Sequence, residues 1–331
     1  MNDVGASAPR FDAEVERLLE YFERAASRPF RVEDIAGARQ RLSGGRDREI
    51  AGGVRVRDVT ANGVEVRLYV PASDRPLPLH LYLHGGGFIF GSALSGSLDG
   101  PLSRRAAAAD AVVASVEYRL APEHRFPAGV EDSYAALTGL LAQSAQLGLD
   151  PTIVTVGGAS SGGNFAAVVA LMARDRAGPA LALQLLEIAG TDLTKSSHAW
   201  RNPVRGHDTT RERDLAMVDL YLTELAARAH PYASPLFAPD LRGLAPAYVM
   251  NAQFDPRRDE CEAYVARLQD AGVPAIARTM EGHVHGSMSV QGWAPALAWE
   301  AEAARAIAAA ARAARSGSAL DLDAIGAPAP A

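Results

Sequence analysis

The chain has 331 residues, 48% apolar and 22% charged, the make-up of a soluble globular protein with room for a large core in one or two domains. A net charge of −6 and the lack of any Lys/Arg-rich run exclude a basic field for nucleic acid. With a single cysteine, Cys261, the chain can form neither an intrachain disulfide nor a cysteine metal site.

The opening stretch "MNDVGASAPRFDAEVERLLEYFERAA" lacks the basic-then-apolar pattern of a secretory leader. No uninterrupted apolar run reaches membrane-spanning length, so a cytoplasmic protein is expected. Lys195 is the only lysine among 33 basic residues, a bias read as genomic composition. Residues 11–25 set Phe11, Val15, Leu18, Leu19 and Phe22 at helical spacing, which predicts an amphipathic helix. Two alternating runs in 54–70 flank Asn62-Gly63; this predicts a hairpin, because Asn-Gly suits a turn with positive φ.

Beyond the hairpin the pattern changes. Nearly continuous apolar runs lie at 79–83, 111–117, 152–156, 181–188, 246–252 and 274–280, with Ala-rich helical stretches at 127–147, 162–176, 257–272 and 293–314. Buried strands alternating with helices predict a mostly parallel sheet in an α/β fold, with the hairpin adding antiparallel strands at one edge. The first 45 residues and the stretch 195–230 break the alternation; the latter, helical near 210–228, is a candidate lid. The Gly/Ala/Pro-rich tail 316–331 is expected to be mobile.

The chemistry gathers at strand ends. Gly158-Ala159-Ser160-Ser161-Gly162 matches G-x-S-x-G between a strand run and a helical run, the setting of a nucleophile elbow whose strained turn leaves no room for side chains beside the serine. A serine hydroxyl needs a base, and in this architecture the acid and then the histidine follow in the chain. Asp255 follows one strand run; Asp259 is the rival acid but falls in the next predicted helix. His283 and His285 both follow the last strand run, and position alone does not separate them. Three glycines, Gly85 to Gly87, directly follow the strand run at 79–83. They are read as a loop of backbone N–H donors for an oxyanion, joined by the Ser161 N–H at the start of the helix after the elbow.

The motifs HGGGF (84–88), YRLAPEHRFPA (118–128), GASSGGN (158–164), ASPL (233–236), DPRRDE (255–260) and HVHG (283–286) occur in one order. Together they resemble the hormone-sensitive-lipase-like (bacterial family IV) carboxylesterases of the α/β-hydrolase fold, over about 77–315. The resemblance implies an eight-stranded, mostly parallel sheet with a helical cap. It implies Ser160 as nucleophile, Asp255 as acid, His285 as base, and Gly86, Gly87 and Ser161 as oxyanion donors. It casts His84 and the stretch Tyr118–Glu123 as scaffold for the glycine loop. The expected organisation is cap (1–45), core (46–194), cap insertion (195–230), core (231–315) and tail (316–331).

This chain departs from the family pattern in places. Ala159 and Ser161 flank the serine where the family has Asp and Ala, which removes a hydrogen-bonding partner and is expected to loosen the elbow. "EIAGTD" (187–192) stands where a Tyr-Pro is usual. Glu187 in a buried strand is costly if isolated; it is either paired or recognises a polar or cationic substrate group. Phe88 and Glu187 are the candidate substrate contacts. The expected activity is hydrolysis of short-to-medium acyl esters without metal or cofactor, by a monomer or homodimer. The alternatives are the same triad used for deacetylation, amide or lactone hydrolysis or acyl transfer, and a non-catalytic small-molecule receptor.

Overall fold

The structure, a computed structural model, describes residues 11–26, 32–42 and 49–326. The expectations for 1–10, 27–31, 43–48 and 327–331 lie outside the described residues. In chain order the elements are α1 (Ala13–Ala26), α2 (Ile35–Leu42), β1 (Val54–Ala61), β2 (Val64–Pro71), β3 (Leu77–Leu83), α3 (Asp99–Ala109), β4 (Val112–Val116), α4 (Ala128–Ala142), α5 (Ser144–Leu147), β5 (Leu149–Ala159), α6 (Ser161–Asp175), β6 (Leu183–Glu187), α7 (His198–Arg201), α8 (Arg211–Tyr221), β7 (Ala247–Phe254), α9 (Arg258–Asp270), β8 (Ala275–Val284) and α10 (Ala294–Ser316).

One eight-stranded sheet runs β1-β2-β4-β3-β5-β6-β7-β8. The hairpin turns at Asn62 and Gly63, both at positive φ, and β2 pairs antiparallel with both β1 and β4. The pairs from β4 through β8 are parallel. Every residue of β3, β4 and β6 is buried, which is why these strands read as nearly continuous apolar runs. The described part of the chain therefore has the α/β-hydrolase architecture expected from the sequence.

Helices cover both faces. On α10, Trp299, Ala303, Ala306, Ile307 and Ala310 form one buried stripe against Leu183, Leu185, Tyr248 and Met250. The stripe follows helical spacing, and burying a side chain such as Ile307 contributes about 1.5–3 kcal/mol. On the other face α6 is buried from Ser161 to Ala173. The amphipathic α1 turns Val15 and Leu19 onto Val284, Trp293 and Ala296.

Two features differ from the sequence expectation. Helix α3 was not anticipated: Gly100 and Pro101 sit in its first turn, and its buried side includes Ser103 and Arg105, so its apolar period is broken. The tail is not loose through Gly326. Leu322 and Ile325 are buried in the cluster under α10, and Arg305 Nε donates to the Ile325 carbonyl at 3.1 Å.

Candidate active site

Parallel strands deliver their carboxyl ends to one edge of the sheet, where ligands bind in such folds. That edge collects Gly85–Gly87 after β3, Ser160 after β5, Asp255 after β7 and His285 after β8. Ser160 sits at φ 56°, ψ −117°, a conformation that costs on the order of 1–3 kcal/mol. The neighbouring glycines make it possible: a Cβ on Gly162 would lie 1.9 Å from the Leu83 carbonyl oxygen, and one on Gly158 would lie 2.4 Å from it. With Ala159 in place of the flanking acid, the turn is held by other bonds. Ser160 N–H donates to the Glu187 carbonyl at 2.8 Å and Asn164 N–H to the Ser160 carbonyl at 3.0 Å. The Asn164 side chain, buried, donates to the carbonyls of Gly190 and Ala233 at 2.7 and 2.8 Å.

The structure brings three predicted side chains into one chain of contacts. His285 Nε2 lies 3.0 Å from Ser160 Oγ, and His285 Nδ1 lies 2.6 Å from Asp255 Oδ2. Burial alone would raise the Asp255 carboxyl, but His285 and then Arg257 hold it below the usual carboxylate range. The other two candidates go elsewhere. His283 bonds Ser287 Oγ at 2.8 Å and lies between Trp293 and Trp299; burial lowers its pKa to about 4. Asp259 accepts the Ala199 N–H at 2.9 Å.

The glycine loop abuts the elbow. A Cβ on Gly85 would meet the Ala159 carbonyl oxygen at 2.9 Å and Ser160 Cβ at 3.4 Å. Gly86, at φ 135°, accepts the Phe90 N–H at 2.8 Å and closes the loop on itself. Among the described residues, no protein acceptor takes the amides of Gly86, Gly87 or Ser161, so these donors are free to meet a ligand. The Ser161 amide also opens the 15-residue α6, whose N-terminal dipole favours negative charge. His84 is scaffold: its ring stacks on Tyr118 at 4.2 Å, its Nδ1 lies 3.0 Å from the Tyr118 hydroxyl, and burial lowers its pKa to about 4. From α2, Arg39 donates to the carbonyls of Ile89 and Ala121 at 2.8 and 2.6 Å and pairs with Glu123.

Two adjoining cavities, of about 440 and 710 Å³, meet at Gly86, Leu98, Pro101, His285 and Met288. The smaller one reaches Ser160, Ser161, Phe88, Met217 and Val218; the larger one reaches Leu18, Tyr21 and Phe22 of α1. Phe88 stacks on Tyr221 of α8 at 4.1 Å. Glu187 also borders the smaller cavity, but its carboxylate is engaged. Arg105 grips it at 2.6 and 3.0 Å, and Trp299 Nε1 donates to it at 2.7 Å. Of the two readings for Glu187, the geometry favours the paired one.

Sequence reading missed a charged group beside the triad. Lys195 is buried, 3.1 Å from Asp214 and 3.6 Å from Glu260. Arg257 pairs with Asp208 at 3.1 Å, Asp214 at 2.6 Å and Asp255 at 3.3 Å. Asp208, Asp255 and His285 each bring one ligand atom within 4.8 Å of the others, and Arg257 already supplies a cation to both carboxylates. The signals were present as the lone lysine and the doubled arginine of DPRRDE, but two of their partners, Asp208 and Asp214, lie in the 195–230 stretch, far along the chain from Arg257.

Residues 80–289 match a family described as alpha/beta hydrolase fold. Carboxylesterase NlhH of Mycobacterium tuberculosis is 38% identical over 240 residues, 71% of this chain and 74% of the relative. Arylacetamide deacetylase of Oryctolagus cuniculus is 33% identical over 307 residues, covering 72% of this chain and 76% of that one. The solved structure of a thermostable esterase from Pseudomonas putida superposes with a TM-score of 0.82 at 30% identity, over 92% of this chain and 99% of the other. Motif order, fold and these likenesses agree, and the chain belongs to the hormone-sensitive-lipase-like family of α/β hydrolases.

Proposed function

We propose that this protein is a serine carboxylester hydrolase that works through an acyl-enzyme. The observation that carries the reading is the unbroken chain Ser160 Oγ, His285 Nε2, His285 Nδ1, Asp255 Oδ2, at 3.0 and 2.6 Å. Ser160 Oγ attacks the ester carbonyl carbon while His285 Nε2 takes its proton. Asp255 holds the imidazole tautomer and stabilises the imidazolium. The new oxyanion is met by the N–H groups of Gly86, Gly87 and Ser161. Collapse breaks the bond to the alkoxy oxygen, which leaves with the proton from His285. Water then attacks the acyl-Ser160 carbonyl, gives a proton to His285, and releases the acid and the free serine.

The N-terminal helices and the 195–230 stretch serve as the cap over the site. The cavity of about 440 Å³ beside Ser160 suits a short-to-medium acyl group. The protein is read as a cytoplasmic monomer or homodimer; its thiol at Cys261 is buried and unpaired, which no oxidising compartment requires. Amide hydrolysis is the second reading, favoured by the likeness to arylacetamide deacetylase.

The test is hydrolysis of p-nitrophenyl esters from acetate to decanoate, beside p-nitroacetanilide, by the wild type and Ser160→Ala. Turnover of short esters that vanishes in the variant is the expected result. Turnover of the anilide alone would move the reading to amides, and undiminished activity in Ser160→Ala would overturn it.

A further inference from the structure

We propose that Arg257 is a positioning residue: it ties the triad acid Asp255 to Asp208 and Asp214 of the 195–230 stretch, and so sets the pH at which His285 becomes an effective base. The inference rests on the reading of His285 as the base.

The geometry makes Arg257 the hub. Its backbone N–H donates to Asp255 Oδ1 at 2.9 Å, and its guanidinium reaches the same oxygen at 3.3 Å. The far side of the fork takes Asp208 at 3.1 Å and Asp214 at 2.6 Å. Asp255 thus has one oxygen for His285 and the other for Arg257, so its carboxylate plane is fixed from both sides. Arg257 is buried and packs over the Trp200 ring at 5.1 Å. A guanidinium suits this place because its planar fork serves several carboxylates at once.

Charge around His285 comes from every element packed there. The loop after β7 brings Asp255 and Arg257; α9 brings Asp259 and Glu260; α8 and the loop before it bring Asp214, His207 and Asp208; the loop after β6 brings Lys195; α10 brings Glu300 across the cavity. Lys195 answers Asp214 and Glu260. Arg257 is the cation that answers Asp208 and Asp255, the two carboxylates nearest the imidazole. Without it, excess negative charge would favour the imidazolium and raise the pH below which the base is lost. Without Asp208, the same logic lowers that pH. With Asp208 within 4.8 Å of His285 and an interior dielectric of about 20, the Asp208→Asn change moves the acid limb by about one pH unit or more, and loss of Arg257, which pairs with both carboxylates, moves it the opposite way.

The probe is a fluorophosphonate, whose rate of Ser160 labelling follows the neutral fraction of His285 whether or not an ester is turned over. Labelling rate is measured against pH for the wild type, Arg257→Gln, Arg257→Lys and Asp208→Asn. The expected result is an acid limb displaced upward in Arg257→Gln, downward in Asp208→Asn, and largely restored in Arg257→Lys. Limbs that coincide with the wild type, or that move the same way in Arg257→Gln and Asp208→Asn, would overturn the proposal. If Arg257→Gln does not fold, the limb of Asp208→Asn decides alone, and an unmoved limb refutes it. Labelling without ester turnover would sink the ester reading and leave this inference standing; absence of labelling at every pH would sink both.

Discussion

Replacing Arg105 by Met strands Glu187. Both side chains of the pair are 1% exposed, and the fork meets the carboxylate at 2.6 and 3.0 Å. Removing one partner of a buried pair leaves an uncompensated charge and costs about 3–5 kcal/mol. For 331 residues, an unfolding entropy of about 2.1 cal/mol/K per residue gives roughly 0.7 kcal/mol/K, so the melting temperature falls by about 4–7 °C. Protonation relieves a stranded carboxylate. The loss is therefore smallest in acid and grows as pH rises, the direction expected when the folded state binds the proton more tightly than the unfolded chain. Replacing Arg105 and Glu187 together by Met should recover the part of the loss that Glu187 causes, while Glu300, 16% exposed, loses Arg105 but can still reach water. Glu187→Gln alone should be milder, because Arg105 keeps Glu300 at 3.0 Å. The assay is thermal unfolding by circular dichroism from pH 5 to 8. A single variant as stable as the wild type at every pH, or a double variant no better than Arg105→Met, would refute the reasoning.

Three further outcomes are expected. His285→Ala should lower kcat/KM by about 10³-fold or more, whereas His283→Ala should mainly lower stability, because His283 packs between Trp293 and Trp299; steady-state kinetics beside a melting curve separates them. Gly86→Ala should reduce kcat by about 10²-fold or more, since the added Cβ would stand 2.1 Å from the Phe90 carbonyl oxygen; a kcat within a factor of two of the wild type would count against the donor loop. Burial, opposed by Lys195, raises the Glu260 pKa to about 8, so its contribution to stability is complete in acid and is lost as pH rises from the unfolded value, about 4.3, through about 8. Glu260→Gln should flatten that decline in denaturant midpoints across pH 5–9, and an unchanged slope would show that other groups cause it.

What the sequence made legible was local. The Asn62-Gly63 turn, the buried strands and the crowded glycines at the elbow each depend on neighbours within a few residues. Ser160, Asp255 and a histidine could be ordered because each closes a strand of the parallel sheet, whereas the choice of His285 over His283 rested on the family resemblance. The pairing of Glu187 could not be read: Arg105 lies 82 positions away and Trp299 lies 112. Helix α3 was obscured by Gly100, Pro101 and the arginine it buries. The tail read as loose by composition, yet Leu322 and Ile325 at its far end find apolar ground on α10. Lys195 shows the same limit, since a residue count cannot tell a rare surface charge from a buried one.

Arg39 carries one more consequence. From α2 it holds Ile89 and Ala121 by their carbonyls and Glu123 by its carboxylate, and so pins the far side of the loop whose near side faces the serine. The N-terminal segment is then a splint for the donor loop as well as a wall of the cavity. A shortened chain that begins after α2 would lose turnover number along with substrate affinity. Natural variation in this segment would tune rate and selectivity together, where a simple lid would change selectivity alone.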